Sequence, residues 1–324
     1  MAKRKVILSG MQPTGKLHLG NYEGALKNWA RLQHEYECFY CIVDWHSLTA
    51  DYEDTSTLQD RIREMTIDYL AGGLDPEVCT IFVQSDVKEH AELHLLFSMI
   101  VPVPWLERVP SYKEKSEELG LESYGFLGYP LLQAADILIY KANFVPVGKD
   151  QAPHIELTRE VARRFNHLYG EVFPEPLELH TEFPVVPGTD GRKMSKSYNN
   201  DICLADSAEE TTAKLKKMFT DPQKLRKGDP GRPEICPVYD LVKIYNPDYE
   251  EVSRRCKTGE LGCVEDKTNL ARLMNEALAP VRAERRELEG KPEYVQEVLK
   301  NGAERARVRA AETMRDVKNA MHMR

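Results

Sequence analysis

Lys193 and Lys196 stand three residues apart in the stretch GRKMSKSYN (191–199), which opens on a glycine. Two ammonium groups on a flexible, glycine-flanked loop are suited to drawing in phosphate oxygens. A second stretch asks for the same guest. VILSGMQPTGKLHLGNYEGALKNW (6–29) begins with an apolar run, Val6-Ile7-Leu8, that reads as a buried strand. Gln12-Pro13-Thr14-Gly15 then reads as a turn, and helical spacing starts after Gly20-Asn21 with Leu26 and Trp29. A strand, a glycine-rich turn and a helix N-terminus leave backbone N–H groups and the positive end of a dipole facing one corner, which is an anion site. The segment from Gly10 to Lys16 fits the phosphate-binding pattern G-x-x-x-x-G-K, but Leu17 stands where that loop needs Ser or Thr to hold Mg²⁺. Taken alone, the corner also reads as a strand-to-helix turn with no ligand.

A third candidate is a lone carboxylate. GYPLLQAADILIY (128–140) predicts a helix from Pro130 to about Asn143, with proline in its first turn. Tyr129 sits at its mouth, and Gln133 and Asp136 follow on one side among apolar neighbours. A carboxylate in such surroundings is costly unless it is paired. It either caps a nearby loop or waits for a donor in an apolar pocket.

The elements that must position these groups alternate. Strands are predicted at Cys38–Val43, Thr80–Val83 and Phe144–Val147, and helices at Thr57–Leu70, Glu89–Met99 and His154–Phe165. That order argues for a parallel sheet wrapped by helices, with ligands outside the carboxyl ends of its strands. The polar groups gather there: Ser9–Thr14, Asp44–His46, Gln84–Asp86 and Gly148–Gln151. His46 by itself reads equally as a histidine bonded to its own loop. Beyond Ser197 the pattern turns helical, with a capping box at Ser207–Glu210 and a last helix from Glu293 to about Met321. The change falls near residues 185–200.

The chain has 324 residues, a net charge of −8 and seven cysteines. An acidic balance argues against general adhesion to nucleic acid, so an RNA partner needs local basic patches. The runs Lys214–Lys217 and Arg282–Arg286 are such patches, although runs of this kind are commonly solvated helix faces. No apolar run reaches membrane-spanning length and the N-terminus carries no signal-peptide pattern, which together with the odd cysteine count predicts a cytoplasmic protein with no membrane partner.

Lys193-Met194-Ser195-Lys196-Ser197 is a full match to the signature loop of the class I aminoacyl-tRNA synthetases. His18-Leu19-Gly20-Asn21 resembles their His-x-Gly-His corner, with Asn21 in place of the last His. More closely, SGMQPTG, YCIVDWHSL, GRKMSKS and the stretch from Gly128 to Asn166 resemble the tryptophanyl-tRNA synthetases, nearly end to end. The resemblance implies an α/β fold: a Rossmann-like catalytic domain over 1–190, then the signature loop and an α-helical anticodon-binding region over 191–324, with the last helix packing back on the catalytic domain. It implies catalytic roles for Lys193, Lys196 and His18. It implies ATP contacts from Gln12, Pro13, Thr14, Gly20, Asn21, Gly148, Lys149, Asp150, Lys193, Met194, Ser195, Lys196 and Ser197. Tryptophan would be held by Asp136, accepting the indole N–H, with Tyr129, Gln133, His46 and Gln151. ATP and Mg²⁺ are implied, with L-tryptophan and tRNA(Trp) as substrates and a homodimer whose interface neighbourhood is Pro102–Pro110 and Tyr112–Tyr124. Two positions depart from the family: Lys149 replaces a Glu, and Gln133 replaces a frequent Met.

Cys236, Cys256 and Cys263, followed by Asp266, resemble a subgroup of this family that carries four cysteines here around a 4Fe-4S cluster. The choices are a cluster with Asp266 or water on the fourth iron, a tetrahedral zinc, or three packed thiols. The rival functions are tyrosyl-tRNA synthesis on the same fold, and a non-synthetase ATP-binding protein using the P-loop-like stretch.

Overall fold

The computed structural model describes residues 4–110, 112–113, 123–148, 151–180 and 185–324. Lys149, Asp150 and most of the segment from Tyr112 to Tyr124 lie outside them. In chain order the elements are β1 (Val6–Met11), a long helix α1, β2 (Glu37–Ile42), α2 (Asp44–Leu48), α3 (Leu58–Ala71), β3 (Thr80–Val83), α4 (Glu89–Ser98) and α5 (Val103–Glu107). Helix α1 starts at Leu19–Asn21, widens to a π-helix over Tyr22–Leu26 and ends as Lys27–Leu32. There follow α6 (Tyr124–Ile139), β4 (Phe144–Val147), α7 (Ala152–Tyr169), β5 (Leu177–His180), α8 (Ala208–Lys217), α9 (Pro237–Tyr245), α10 (Tyr249–Lys257), α11 (Cys263–Glu289) and α12 (Pro292–Ala320).

The five strands form one parallel sheet in the order β3-β2-β1-β4-β5. All carboxyl ends therefore share one edge. The order reverses between β1 and β4, which is where such sheets bind ligands. Alternation along each strand feeds two cores. Ile7, Tyr40, Ile42 and Ile81 point to one face, and Val6, Leu8, Phe39 and Phe82 to the other. The first core is shared with Leu270, Met274 and Leu278 of α11, so the helical stretch and the sheet are packed through one interior. Helix α12 begins in the first core at Val295 and Val298 and ends in the second at Ala306 to Val317. It crosses the edge strand β3 at Gly302, where a Cβ would sit 1.7 Å from the Ile81 carbonyl oxygen.

Two expectations need correction, and one strand is unexpected. Helix α6 begins at Tyr124, not Pro130: Ser123 caps it by accepting the Phe126 N–H at 3.1 Å, and Pro130 lies inside. Gly125 and Gly128 make that first turn read as a loop. Gly128 is instead buried, its open side facing the His94 ring of α4. Helix α1 begins before Gly20, not after it, because His18 is its N-cap. A fifth strand, Leu177–His180, lies beside β4; its alternation is too short and too charged to stand out from sequence.

Candidate active site

The corner after β1 is built from local bonds. Thr14 N–H donates to the Gln12 carbonyl at 2.9 Å, and Gly15 takes a φ of 85° that favours glycine. His18 and Asn21 form a reciprocal cap: His18 Nδ1 accepts the Asn21 N–H at 3.3 Å, and Asn21 Oδ1 accepts the His18 N–H at 3.2 Å. Gly20 is required between them, because a Cβ there would lie 2.9 Å from the His18 ring. Burial lowers the His18 pKa to about 4, aided by Lys196 and Lys193 and opposed by Asp201. The ring is neutral at pH 7, and since Nδ1 accepts, its hydrogen sits on Nε2 as a donor.

The loop bearing the two lysines folds onto this corner. Lys196 Nζ donates to the Thr14 carbonyl at 2.6 Å. Met194 is buried with Val186 and faces Gly20, while Lys193 and Ser197 are exposed. The loop's shape is held by Asn200, a buried residue that sequence reading misses. Its Oδ1 accepts the Ser195 N–H at 2.8 Å, and its Nδ2 donates to the Lys193 carbonyl at 3.2 Å and to Asp190 at 2.7 Å. Gln12 reaches the neighbouring strand end, donating to the His46 carbonyl at 3.5 Å. Across the switch point, Gly148 is exposed after β4 and its carbonyl accepts the Gln151 N–H at 3.0 Å. The structure thus gathers Gln12, Pro13, Thr14, His18, Gly20, Asn21, Met194, Ser195 and Lys196 around one cationic corner.

Asp136 is fully inside, and it is not waiting for a donor. His46 Nε2 lies 2.8 Å from its Oδ2, His90 Nδ1 lies 2.6 Å from its Oδ1, and Gln84 Nε2 donates to both oxygens at 2.8 and 2.9 Å. His90 Nε2 is 2.7 Å from the Tyr140 hydroxyl. A carboxylate only accepts, so His90 carries its hydrogen on Nδ1 and accepts from Tyr140. Burial pushes the Asp136 carboxyl up, but the two histidines outweigh it and hold it at about 2. Asp136 is therefore an anchored anion at the carboxyl ends of β2 and β3. Sequence reading assigns no role to Gln84 or His90; Gln84 at least carries the signal of a strand end. Tyr129 lies on the same helix, its ring 5.7 Å from that of His154 on α7, the helix that Gln151 caps. Gln133 is half-buried on α6.

Cys236, Cys256, Cys263 and Asp266 all line one small cavity of about 20 Å³, with Lys224 and Arg232. Among the described residues no three His, Cys, Asp or Glu side chains converge closely enough to hold a single metal ion. That disfavours zinc, whose thiolates must all approach one centre. A cluster takes one thiolate per iron, so its ligands are spread around a gap. The Asp266 carboxyl is pushed up to about 6 by burial and by Glu265. Lys224 donates to the Cys256 carbonyl at 3.2 Å, and Lys267 donates to the Met218 carbonyl at 2.6 Å beside the same group, so two cations flank the gap. Three thiols, a carboxyl and two nearby cations supply donor chemistry of the kind a cluster uses. A gap of about 20 Å³ has room for about one water, however, and burial raises the Cys236 and Cys256 thiols, so the site must open to take such a group.

Residues 2–279 match the family model described as tRNA synthetases class I (W and Y). The chain is 53% identical to the tryptophan–tRNA ligase of Thermotoga maritima, covering 98% of this chain and 99% of that one. It is 46% identical to the tryptophan–tRNA ligase of Aquifex aeolicus, over 98% of this chain and 99% of that one. Among solved structures, the tryptophanyl-tRNA synthetase of Campylobacter jejuni, complexed with ADP and tryptophan, superposes with a TM-score of 0.87 at 35% identity, covering 98% of this chain and all of that one.

Proposed function

The chain belongs to the class I tRNA synthetases for tryptophan and tyrosine and is a tryptophan–tRNA ligase, and from that premise we propose which side chains carry the reaction. ATP is a substrate in this family. The tryptophan carboxylate attacks the α-phosphorus and pyrophosphate leaves; the 2′-hydroxyl of the terminal adenosine of tRNA(Trp) then attacks the adenylate's carbonyl carbon, the acyl–phosphate bond breaks and AMP leaves. The protein forms no covalent intermediate, so its contribution is positioning and charge stabilisation. Lys193 and Lys196 face the departing pyrophosphate, with Mg²⁺ carried on the phosphates. Neutral His18 donates from Nε2 to a phosphate oxygen. Gln12, Pro13, Thr14, Gly20, Asn21, Gly148, Lys149, Asp150, Met194, Ser195 and Ser197 complete the nucleotide site. Asp136, His46, Tyr129, Gln133 and Gln151 line the tryptophan pocket. The observation that best supports this arrangement is the contact of Lys196 with the Thr14 carbonyl, which brings two motifs distant in sequence to one corner. ATP–pyrophosphate exchange tested with each aromatic amino acid is the experiment. Exchange driven by tryptophan alone is expected; exchange driven by tyrosine would transfer the pocket to the rival substrate.

The helical stretch 191–324 is proposed to read the anticodon. Lys216 and Lys217 are exposed and offer phosphate contacts. Arg282 does not, because it is buried and donates to Thr211 at 2.7 Å and Asn275 at 2.8 Å. Among the described residues no helix is long and apolar enough to cross a membrane.

A homodimer is proposed from an apolar strip that adjoins the expected neighbourhood Pro102–Pro110 and shares only Val103 with it. Leu95 and Met99, at helical spacing, are 54% and 68% exposed, and Val103 on α5 is 51% exposed. Substituting Leu95→Glu together with Met99→Glu is expected to shift sedimentation at micromolar concentration from a dimer to the 37.1 kDa monomer. A parent protein that already sediments as monomer would overturn the proposal.

A 4Fe-4S cluster is proposed on Cys236, Cys256 and Cys263, with Asp266 toward the fourth iron. When bound it would cross-link α9, α10 and α11, and it takes no part in acyl transfer. Protein purified without oxygen is expected to carry iron and sulfide that chelators remove readily, since one ligand is a carboxylate. Iron-free, colourless protein that charges tRNA normally would show that the thiols serve packing alone.

A further inference from the structure

Asp68 of α3 and Arg285 of α11 meet in the interior, 0% and 2% exposed. Arg285 donates to Asp68 Oδ1 and to the Glu64 carboxylate, and its Nε lies 3.3 Å from Glu289. A pair of this kind is ordinarily a structural matter. Here the second Asp68 oxygen is engaged elsewhere, since Oδ2 accepts the backbone N–H of Leu17 at 2.6 Å. Leu17 is buried and immediately precedes His18. Its carbonyl accepts the Leu204 N–H at 2.9 Å, and the Leu19 N–H donates to the Ile202 carbonyl at 2.9 Å. His18 is therefore flanked by two fixed peptide groups, and one of them is fixed by a charge. A charged acceptor holds an N–H more firmly than a carbonyl or water does.

Arg285 belongs to a 27-residue helix of the C-terminal stretch, so the anchor reaches well beyond the corner. A shift of α11 moves the guanidinium, the guanidinium moves Asp68, and Asp68 moves the peptide that sets the His18 ring. We propose that Asp68 and Arg285 are positioning residues for adenylate formation, a strut that ties α11 to the His18–Asn21 corner. This rests on that corner being the ATP phosphate site.

The test uses the full-length enzyme. Substituting Asp68→Leu together with Arg285→Met replaces a buried ion pair by apolar side chains of similar size, which is often neutral for stability. The Leu17 N–H then loses its acceptor. The KM for ATP in pyrophosphate exchange is expected to rise about tenfold or more, the scale of one hydrogen bond to a charged group. Tryptophan affinity, followed by equilibrium binding, should stay near the parent's, while the thermal midpoint falls modestly, because the Leu17 N–H and the Glu64 carboxylate lose their partners. Arg285→Lys keeps the charge but loses the planar fork, and should raise the ATP KM by a smaller factor. It also decides the matter if the double variant does not fold. An ATP KM equal to the parent's in whichever variant folds, or an equal loss of ATP and tryptophan affinity, would reduce the pair to a structural one. His18→Ala is the control. If it leaves the ATP KM unchanged, the corner is not the phosphate site and the underlying reading fails. If it raises that KM while the strut variants do not, the strut alone is wrong.

Discussion

Substituting Lys196→Ala is expected to slow adenylate formation by about 10²–10³-fold, the usual loss when one preorganised donor to a developing charge is removed. Tryptophan affinity should hardly move, because Lys196 sits on the Gln12–Gly15 turn and away from Asp136. Its ammonium is half-buried and donates to the Thr14 carbonyl, so it is already oriented before phosphates arrive. Lys193→Ala should act in the same direction but less strongly, since that side chain is exposed and must be drawn in. Single-turnover adenylate formation separates chemistry from product release. Parental rates in both variants would remove the loop from the reaction.

The second large effect is expected at Asp136. Alanine there strands His46, Gln84 and His90, three donors in a dry interior, and breaking a buried charged pair typically costs about 3–5 kcal/mol. Stability should fall, and so should discrimination against phenylalanine and tyrosine, since a site built to pair with a substrate N–H rejects analogues lacking it by roughly 10⁴-fold. If the indole N–H pairs with Asp136 as proposed, it does so at the expense of Gln84: a carboxylate offers about four lone-pair sites, and Gln84 Nε2 spans both oxygens. An incoming indole N–H can take one of those two positions while Gln84 keeps the other. Loss of stability with tryptophan selectivity intact would make Asp136 a hub of the scaffold and nothing more. The acid side follows from the same bonds. The folded-state pKa of about 2 lies below the ordinary aspartate value of 3.8, so this contribution is present above about pH 4 and is lost as pH falls through 2.

Much of this site is legible from residue order because its parts are local. The turn 12–15, the cap His18–Asn21 and the loop 193–197 are each made by neighbours in sequence, and a regular sheet delivers them to one edge. Partners brought from afar are not legible in this way. His90 is an ordinary histidine in the first turn of α4 until the fold sets it against Asp136, 46 positions on. Asn200 looks like a loop asparagine until its two amide atoms are seen stapling Lys193 and Ser195. The start of α6 is misplaced by the sequence pattern for a different reason. Two glycines and a proline lower helix propensity locally, and burial of Phe126 and Gly128 against neighbouring elements overrides it.

The crossing of α12 over β3 has a bearing on how the chain comes off the ribosome. An outer strand presents a row of unpaired backbone groups, which invites pairing with other chains. In the finished protein Arg305 donates to the carbonyls of Pro76 and Cys79, and Arg307 to that of Asp86, so the helix caps the carbonyls flanking that strand. All five strands are synthesised more than a hundred residues before this helix. At about 5–20 residues per second, the edge strand β3 waits roughly 10–45 seconds after its own synthesis with its flank bare. The passage is a window for nascent chains on one messenger to stick together, and it closes only when Gly302 slides past Ile81.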